Sequence, residues 1–219
     1  MSSEQEIFKR GITELGVSAS DTCVASLFQY LDILEETNRT FNLTRIPRSE
    51  YVTLHLLDSL TCILEIESRA GLRILDVGTG AGFPGVPLAA LRPEASVTLL
   101  DSTSKKIRFV TETANTCGIT NIIGIHGRAE LIAKTPEHRN AYDMVVSRAV
   151  AAYPKLMEWL LPLTKRGGRV LAMKGSGYQD EMKGTEKLLE RLGGTVEKIR
   201  TVMLPGTDIE RSIIVVKKI

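Results

Sequence analysis

The chain has 219 residues, 43% hydrophobic and 25% charged, the size and composition of one sizeable globular domain or of one domain with a small appendage. A total of 28 Lys/Arg against 26 Asp/Glu leaves a net charge of +2, which by itself says little about partners, and no basic run is long enough for a nucleic-acid-binding tail. Three widely spaced cysteines exclude a disulfide framework and a Cys-x-x-Cys metal site, and no apolar run is long enough to span a bilayer.

Residues 1–11 are polar and mixed in charge, without a basic-then-apolar leader. A cytoplasmic protein is expected, with Cys23, Cys62 and Cys117 as buried thiols. Helical spacing then dominates: Ile7, Ile12 and Leu15, followed by Val24, Leu27, Phe28, Leu31 and Leu34. Ser20 and Asp21 are N-cap candidates for the second helix. A polar break at Glu36 to Arg39 leads through Phe41 to Pro47 into a third amphipathic stretch, Glu50 to Glu67. This stretch carries His55 and Asp58 on adjacent turns of one face. Residues 1–70 are therefore expected as a helical extension packed on a core domain of residues 71–219.

From Leu72 the pattern changes to short apolar strands separated by helix-length segments. The predicted strands are Arg73–Val77, Ser96–Leu100, Ile122–His126, Met144–Ser147, Arg169–Met173, Thr195–Met203 and Arg211–Lys217. Such alternation predicts an α/β fold with a mostly parallel sheet covered on both faces. Pro205-Gly206 joins the last two strands as a hairpin, which a plain dinucleotide-binding fold lacks. Charge also divides along the chain. Residues 1–71 hold 6 Lys/Arg and 11 Asp/Glu; residues 72–219 hold 22 and 15, a bias that points the second part towards a polyanion.

The first strand runs into Asp76-Val77-Gly78-Thr79-Gly80-Ala81-Gly82-Phe83-Pro84-Gly85. Glycines at such a strand-to-helix turn let backbone approach a ligand closely. Gly80 to Gly85 formally matches the G-x-G-x-x-G dinucleotide pattern. The other register places Asp76 ahead of Gly78, Gly80 and Gly82. A carboxylate opposes pyrophosphate and favours a cation, so this register suits the sulfonium and amino groups of S-adenosylmethionine. Asp101-Ser102 ends the second strand, with Asp101 23 residues past Gly78, about the spacing for a ribose-binding acid. Asp101 also reads as a helix cap, and Asp76 as a loop-ordering group. Ala129 and Glu130 follow the third strand, where they meet an adenine edge or simply start a helix. Arg148 follows the fourth strand and Lys174 the fifth, and two cations at successive strand ends suit an anionic substrate.

Several blocks taken together resemble one family. They are Asn42-Leu43-Thr44, His55-Leu56-Leu57-Asp58-Ser59-Leu60, the Asp76 to Pro87 loop, Thr98 to Ser102 with Lys105-Lys106, Arg128-Ala129-Glu130, Ser147-Arg148-Ala149-Val150-Ala151, and Met173-Lys174-Gly175. In this order, over residues 37–178, they resemble RsmG, or glucose-inhibited division protein B, which methylates N7 of a guanine in bacterial 16S ribosomal RNA. The resemblance implies a class I S-adenosylmethionine-dependent methyltransferase sheet with an N-terminal helical extension. It implies cofactor contacts from Gly78, Phe83, Ala129, Glu130 and Arg148, with Asp101 near the ribose. Thr37-Asn38 stands where the family often has Trp-Asn, and Thr79 where Ser is frequent.

Guanine N7 attacks through an available lone pair, so no general base is expected, and catalysis becomes positioning. Arg148 and Lys174 are the candidates for holding the substrate. Asn42, Thr44, Arg45, His55 and Asp58 are candidates for a substrate-facing rim, although His55 and Asp58 at i and i+3 also read as a helix-surface or domain-packing contact. Arg39, Arg45 and Arg48 form a loose basic cluster beside them, whereas Lys105, Lys106 and Arg108 read as a solvated helix face. No ligand cluster suggests a metal. The expected partner is 16S ribosomal RNA or the small ribosomal subunit, met by a monomer. The competing readings are a methyltransferase for a small molecule or protein, a dinucleotide-dependent oxidoreductase, and an RNA-binding protein without catalysis.

Overall fold

The computed structural model describes residues 3–219. Helix α1 (Ser3–Glu14) turns Phe8 and Ile12 inward. Ser20 then holds extended backbone while its hydroxyl accepts from the Cys23 amide at 3.1 Å, capping α2 (Asp21–Asn38). The stretch predicted as one helix from Glu50 to Glu67 is broken into four pieces. They are a 3-10 turn (Arg48–Glu50), a π-helix (Tyr51–Leu57), a short α3 (Asp58–Leu60) and a second 3-10 turn (Ile63–Glu65). Tyr51, Val52, His55, Leu56, Leu57, Asp58 and Leu60 are all buried. A regular amphipathic helix keeps one face in water, whereas here tertiary packing surrounds the segment and widens its turns, as single π-turns do near functional sites.

The sheet has seven strands: β1 (Arg73–Val77), β2 (Ser96–Asp101), β3 (Ile122–His126), β4 (Tyr142–Arg148), β5 (Thr164–Lys174), β6 (Gly194–Met203) and β7 (Glu210–Lys218). Their spatial order is β3-β2-β1-β4-β5-β7-β6, with β1 to β5 parallel and β7 antiparallel to both of its neighbours. The predicted parallel sheet ending in a hairpin is therefore present. Strands β4 and β5 are longer than predicted because their polar beginnings join the ladder through a register shift near Tyr142.

Six helices lie between or after strands: α4 (Gly85–Leu91), α5 (Ser104–Thr116), α6 (Ala129–Ile132), α7 (Tyr153–Leu160), α8 (Tyr178–Met182) and α9 (Glu186–Leu192). The period-2 pleat sends neighbouring residues to opposite faces. Ile74, Met144, Val146 and Leu171 join one apolar cluster with the N-terminal helices, α4 and α5, while Leu75, Val77, Val145 and Val170 join the other with α7 and α9. Phe8 meets Phe28 edge-on at 5.9 Å, and Tyr30 meets Phe83 and Phe109 at 6.1 and 5.9 Å. The Tyr30 hydroxyl donates to the Ala81 carbonyl at 2.8 Å, tying α2 directly to the glycine-rich loop. Among the described residues no helix is long and apolar enough to cross a membrane.

Candidate functional site

A cavity of about 420 Å³ lies over the carboxyl ends of β1, β2 and β4 and beside the start of α6, where ligands bind in open parallel sheets. Gly78 and Gly80 line it with φ of +74° and +59°, left-handed values that only glycine adopts cheaply. A Cβ on Gly78 would collide with the Val150 side chain. Asp101, Ser102, Ala129, Glu130 and Arg148 share the wall, joined by Lys106, Arg128 and Trp159. Asp101 also orders the loops around itself. Its Oδ2 accepts from the Gly80 amide at 3.0 Å and its Oδ1 from the Thr103 amide at 2.8 Å. The helix cap predicted at Asp101 falls instead at Thr103, which makes no side-chain capping bond; Asp101 holds the amide of that residue and lies on the cavity wall.

Asp76, Gly82 and Phe83 do not line this cavity. Asp76 is fully buried, and its Oδ2 accepts from the Gly85 amide at 2.9 Å. Burial pushes its carboxyl up to about 6, although the Gly85 amide and Arg148 oppose the shift. The expected contact with a cofactor cation is therefore corrected: Asp76 orders the loop from beneath. Phe83 stacks on His55 at 4.2 Å with planes 10° apart, and the Arg148 guanidinium lies 5.8 Å from the Phe83 centroid.

Arg148 is the hinge of the site. Its Nη1 donates to the Leu54 carbonyl at 2.8 Å and to Asp58 Oδ2 at 2.9 Å, and its Nη2 faces His55 Nδ1 at 3.3 Å. Asp58 Oδ1 accepts from Arg211 Nε at 2.7 Å. Burial and the Arg148 charge hold His55 down at about 3, so the ring is neutral. With Nδ1 facing a permanent donor, the proton belongs on Nε2, which donates to Thr44 Oγ1 at 3.0 Å. Of the two packing readings of His55 and Asp58, the helix-surface contact fails and the domain-packing contact holds, since their partners Arg148 and Arg211 stand on β4 and β7. Both are buried, and both hold Arg148.

A second cavity of about 690 Å³ lies on the other side of Arg148. The two share Arg148, Ala149 and Val150, and Ala149 sits at φ +55°, a strained conformation for a residue with a Cβ. Ile46, Leu54, Asp58, Met173, Lys174, Glu181 and Arg211 also line it. Lys174 is not a free cation, because its Nζ donates to the Ala151 carbonyl and to Glu181 Oε2, each at 2.6 Å. Glu181 of α8 neutralises it on the wall of this cavity, and the pair holds the loop after β4.

The rim residues separate. Thr44 joins the His55 network, while Asn42 and Arg45 are exposed on the loop. Asn38 holds that loop. Its Oδ1 accepts from the Leu43 and Thr44 amides at 2.8 and 3.0 Å, and its Nδ2 donates to the Thr44 carbonyl at 3.0 Å. The predicted basic cluster dissolves, since Arg48 bonds to Glu4 at 2.6 and 3.0 Å and pairs with Asp32 and Glu35, and Arg39 pairs with Glu35. Sequence reasoning missed Arg211, Glu181, Trp159 and Asn38. None sits in a spaced motif; Arg211, Glu181 and Trp159 enter on elements from elsewhere in the chain, and Asn38 acts through a local loop clamp that carries no motif of its own. Among the described residues no group of His, Cys, Asp and Glu could hold a metal ion.

The family model for rRNA small subunit methyltransferase G, GidB, matches residues 24–213. The chain is similar to the ribosomal RNA small subunit methyltransferase G of Desulforamulus reducens, 40% identical over 212 residues, covering 96% of this chain and 88% of that one. The protein of the same description from Alkaliphilus metalliredigens is 40% identical over 214 residues, covering 97% and 90%. Among solved structures it is similar to a SAM dependent methyltransferase from Aquifex aeolicus, with TM-score 0.55, 19% identity, and 76% and 92% of the two chains covered. It is likewise similar to M. jannaschii TYW2 in complex with AdoMet, with TM-score 0.55, 14% identity, and 69% and 71% covered. These two likenesses establish the fold, a class I methyltransferase sheet. With a family match across most of its length and relatives at 40% identity over nearly all of it, the chain belongs to the rRNA small subunit methyltransferase G family.

Proposed function

We propose that the two cavities divide the work of methyl transfer to N7 of a guanine in small-subunit ribosomal RNA, the smaller holding S-adenosylmethionine and the larger receiving the base. As a member of its family the chain is an S-adenosylmethionine-dependent ribosomal RNA methyltransferase. The smaller cavity fits that cofactor. Gly78 and Gly80 bring bare backbone to its wall, and the wall mixes Asp101 and Glu130 with Lys106 and Arg128, as a zwitterion with a ribose requires. When bound, S-adenosylmethionine supplies an electrophilic methyl group. In this reading Asp101 and Ser102 would take the ribose, Ala129 and Glu130 the adenine edge, and Gly78 and Gly80 the amino-acid end, all of them residues of the one cavity wall.

The observation that carries the choice of acceptor is the state of the ionisable groups around the larger cavity. Asp58 is bound by Arg148 and Arg211, and Glu181 by Lys174. His55 is neutral, with both ring nitrogens engaged. No free base thus faces the acceptor among these residues, so an acceptor atom that must lose a proton would be poorly served. Guanine N7 attacks through a lone pair and needs none. Its product carries a positive charge, and the neutralised cations of this wall oppose that charge little. N7 lies in the deep, narrow groove of A-form RNA, so the target base is unpaired or splayed out when it enters. Arg148, fixed on three sides and common to both cavities, orients acceptor against donor. We also propose that the chain acts as a monomer in the cytoplasm.

The test is transfer from isotopically labelled S-adenosylmethionine to small-subunit RNA, to small subunits lacking the methyl group, and to a panel of proteins. The expected result is label in RNA or subunits, recovered as 7-methylguanine, with Arg148→Ala slower by about a hundredfold or more. Label confined to protein, or recovered as another methylated nucleoside, would overturn the proposed acceptor.

A further inference from the structure

A third recess, of about 220 Å³, lies where the loop after α2 meets α5. Thr37, Phe41, Leu43 and Phe109 line it together with Lys105 and Arg108. Phe41 is 45% exposed, and the Lys105 ammonium stands 5.4 Å from its ring centroid. The backbone that carries the ring is held rather than loose. The Phe41 amide donates to the Thr37 carbonyl at 2.9 Å, its carbonyl accepts from the Leu43 amide at 2.7 Å, and Asn38 clamps the next turn of the loop. Thr113 and one carboxylate, Glu112, complete the lining, and Glu112 pairs with Arg108 at 3.9 Å; Lys105, and Arg45 on the adjoining loop, have no carboxylate partner among the described residues. An exposed aromatic ring on rigid backbone, with the uncommitted Lys105 beside it and Arg45 on the same loop, is how proteins stack unpaired bases while tracking the phosphates beside them. Charge complementarity thus selects single-stranded RNA over an apolar peptide, which would leave those cations unmatched.

The same loop joins this recess to the acceptor cavity. Phe41 lines one and Ile46 the other, and the five Cα-to-Cα steps between them reach at most about 18 Å. We infer that the recess receives an unpaired base a few nucleotides from the methylated guanine, stacked on Phe41, with flanking phosphates against Lys105 and Arg45. The inference rests on the ribosomal RNA reading above. It assigns a second nucleotide-binding subsite, which gives the enzyme a way to select its target by the neighbouring sequence.

Steady-state kinetics with small subunits lacking the methyl group test it. Phe41→Ala is expected to raise KM for the subunit roughly tenfold, the scale of one lost base stack. Affinity for S-adenosylmethionine and thermal stability should stay unchanged, which a merely structural Phe41 would not allow. Phe41→Trp should restore KM, and the apolar but flat-faceless Phe41→Leu should not. Lys105→Ala should make the salt dependence of RNA binding shallower by about one in slope, and it carries the test alone if Phe41→Ala unfolds. Unchanged KM in Phe41→Ala, or Phe41→Leu restoring it as well as Phe41→Trp, would overturn the subsite while leaving the methyltransferase reading intact. Absence of transfer to RNA by the unsubstituted protein would instead overturn the ribosomal RNA reading, and the subsite with it.

Discussion

Asp76 shows how a residue chosen for one reason holds its place for another. It precedes the glycines as a cofactor-facing acid would, yet it caps backbone beneath them and stays out of the cavity. Its folded carboxyl titrates at about 6, above the ordinary 3.8, so folding favours the protonated form. The stabilising contribution is therefore complete below about 3.8 and is lost as pH rises through 6. His55 has the opposite sign. Held at about 3 against an ordinary 6.5, it contributes above 6.5 and loses that contribution as acid is added. Comparing Asp76→Asn with the unsubstituted protein by denaturant unfolding isolates the first effect. The advantage of Asn should grow between pH 4 and 6, by about 1–3 kcal/mol, and level off above. A difference independent of pH would mean that Asp76 is ionised in the fold.

At the scale of elements, the strand-to-helix turn at β1 and α4 is set by backbone conformation, and the π-helix by packing. Gly78 combines φ of +74° with Val150 against its missing Cβ. Gly78→Ala should cost about 1–2 kcal/mol of stability from the left-handed conformation alone. It should also weaken S-adenosylmethionine binding in calorimetry, because the new methyl group presses on the segment shared by both cavities. Gly175→Ala is the control, since a Cβ there meets nothing within 4 Å; its cofactor affinity should not change. Equal affinities for both variants would remove Gly78 from the cofactor wall. The π-helix over Tyr51–Leu57 is indistinguishable from ordinary helix in the sequence, because over so short a stretch the two helical periods give nearly the same apolar spacing.

At the scale of the molecule, the helices before residue 70 and one face of the sheet share a single apolar cluster, so the extension helps to build the site. Two links carry this: Tyr30 to the Ala81 carbonyl, and Thr44, His55 and Asp58 to Arg148. Tyr30→Phe leaves a buried carbonyl without its donor and should cost about 1–3 kcal/mol. Because Ala81 lies between the loop glycines, cofactor affinity should fall with stability, read by calorimetry and thermal unfolding on the same samples. A loss of stability with unchanged affinity would mean that the loop holds its shape without α2.

The local parts were legible in the sequence. Periodicity marked the strands, glycines the turn at Gly78, Ser20 the start of α2, and the ordered blocks the family, because each of these depends on residues close together in the chain. Partnerships across the chain were not legible. Arg48 belongs to a basic cluster by sequence, but Glu4 stands against it in space, and Lys174 at the end of β5 is neutralised by Glu181. Asp58 and Arg211 meet across 153 positions. A side chain's charge is written in its identity, but whether that charge is free, paired or buried depends on which distant groups the fold brings within a few ångströms. Burial multiplies that dependence, because a lower dielectric strengthens every contact that remains.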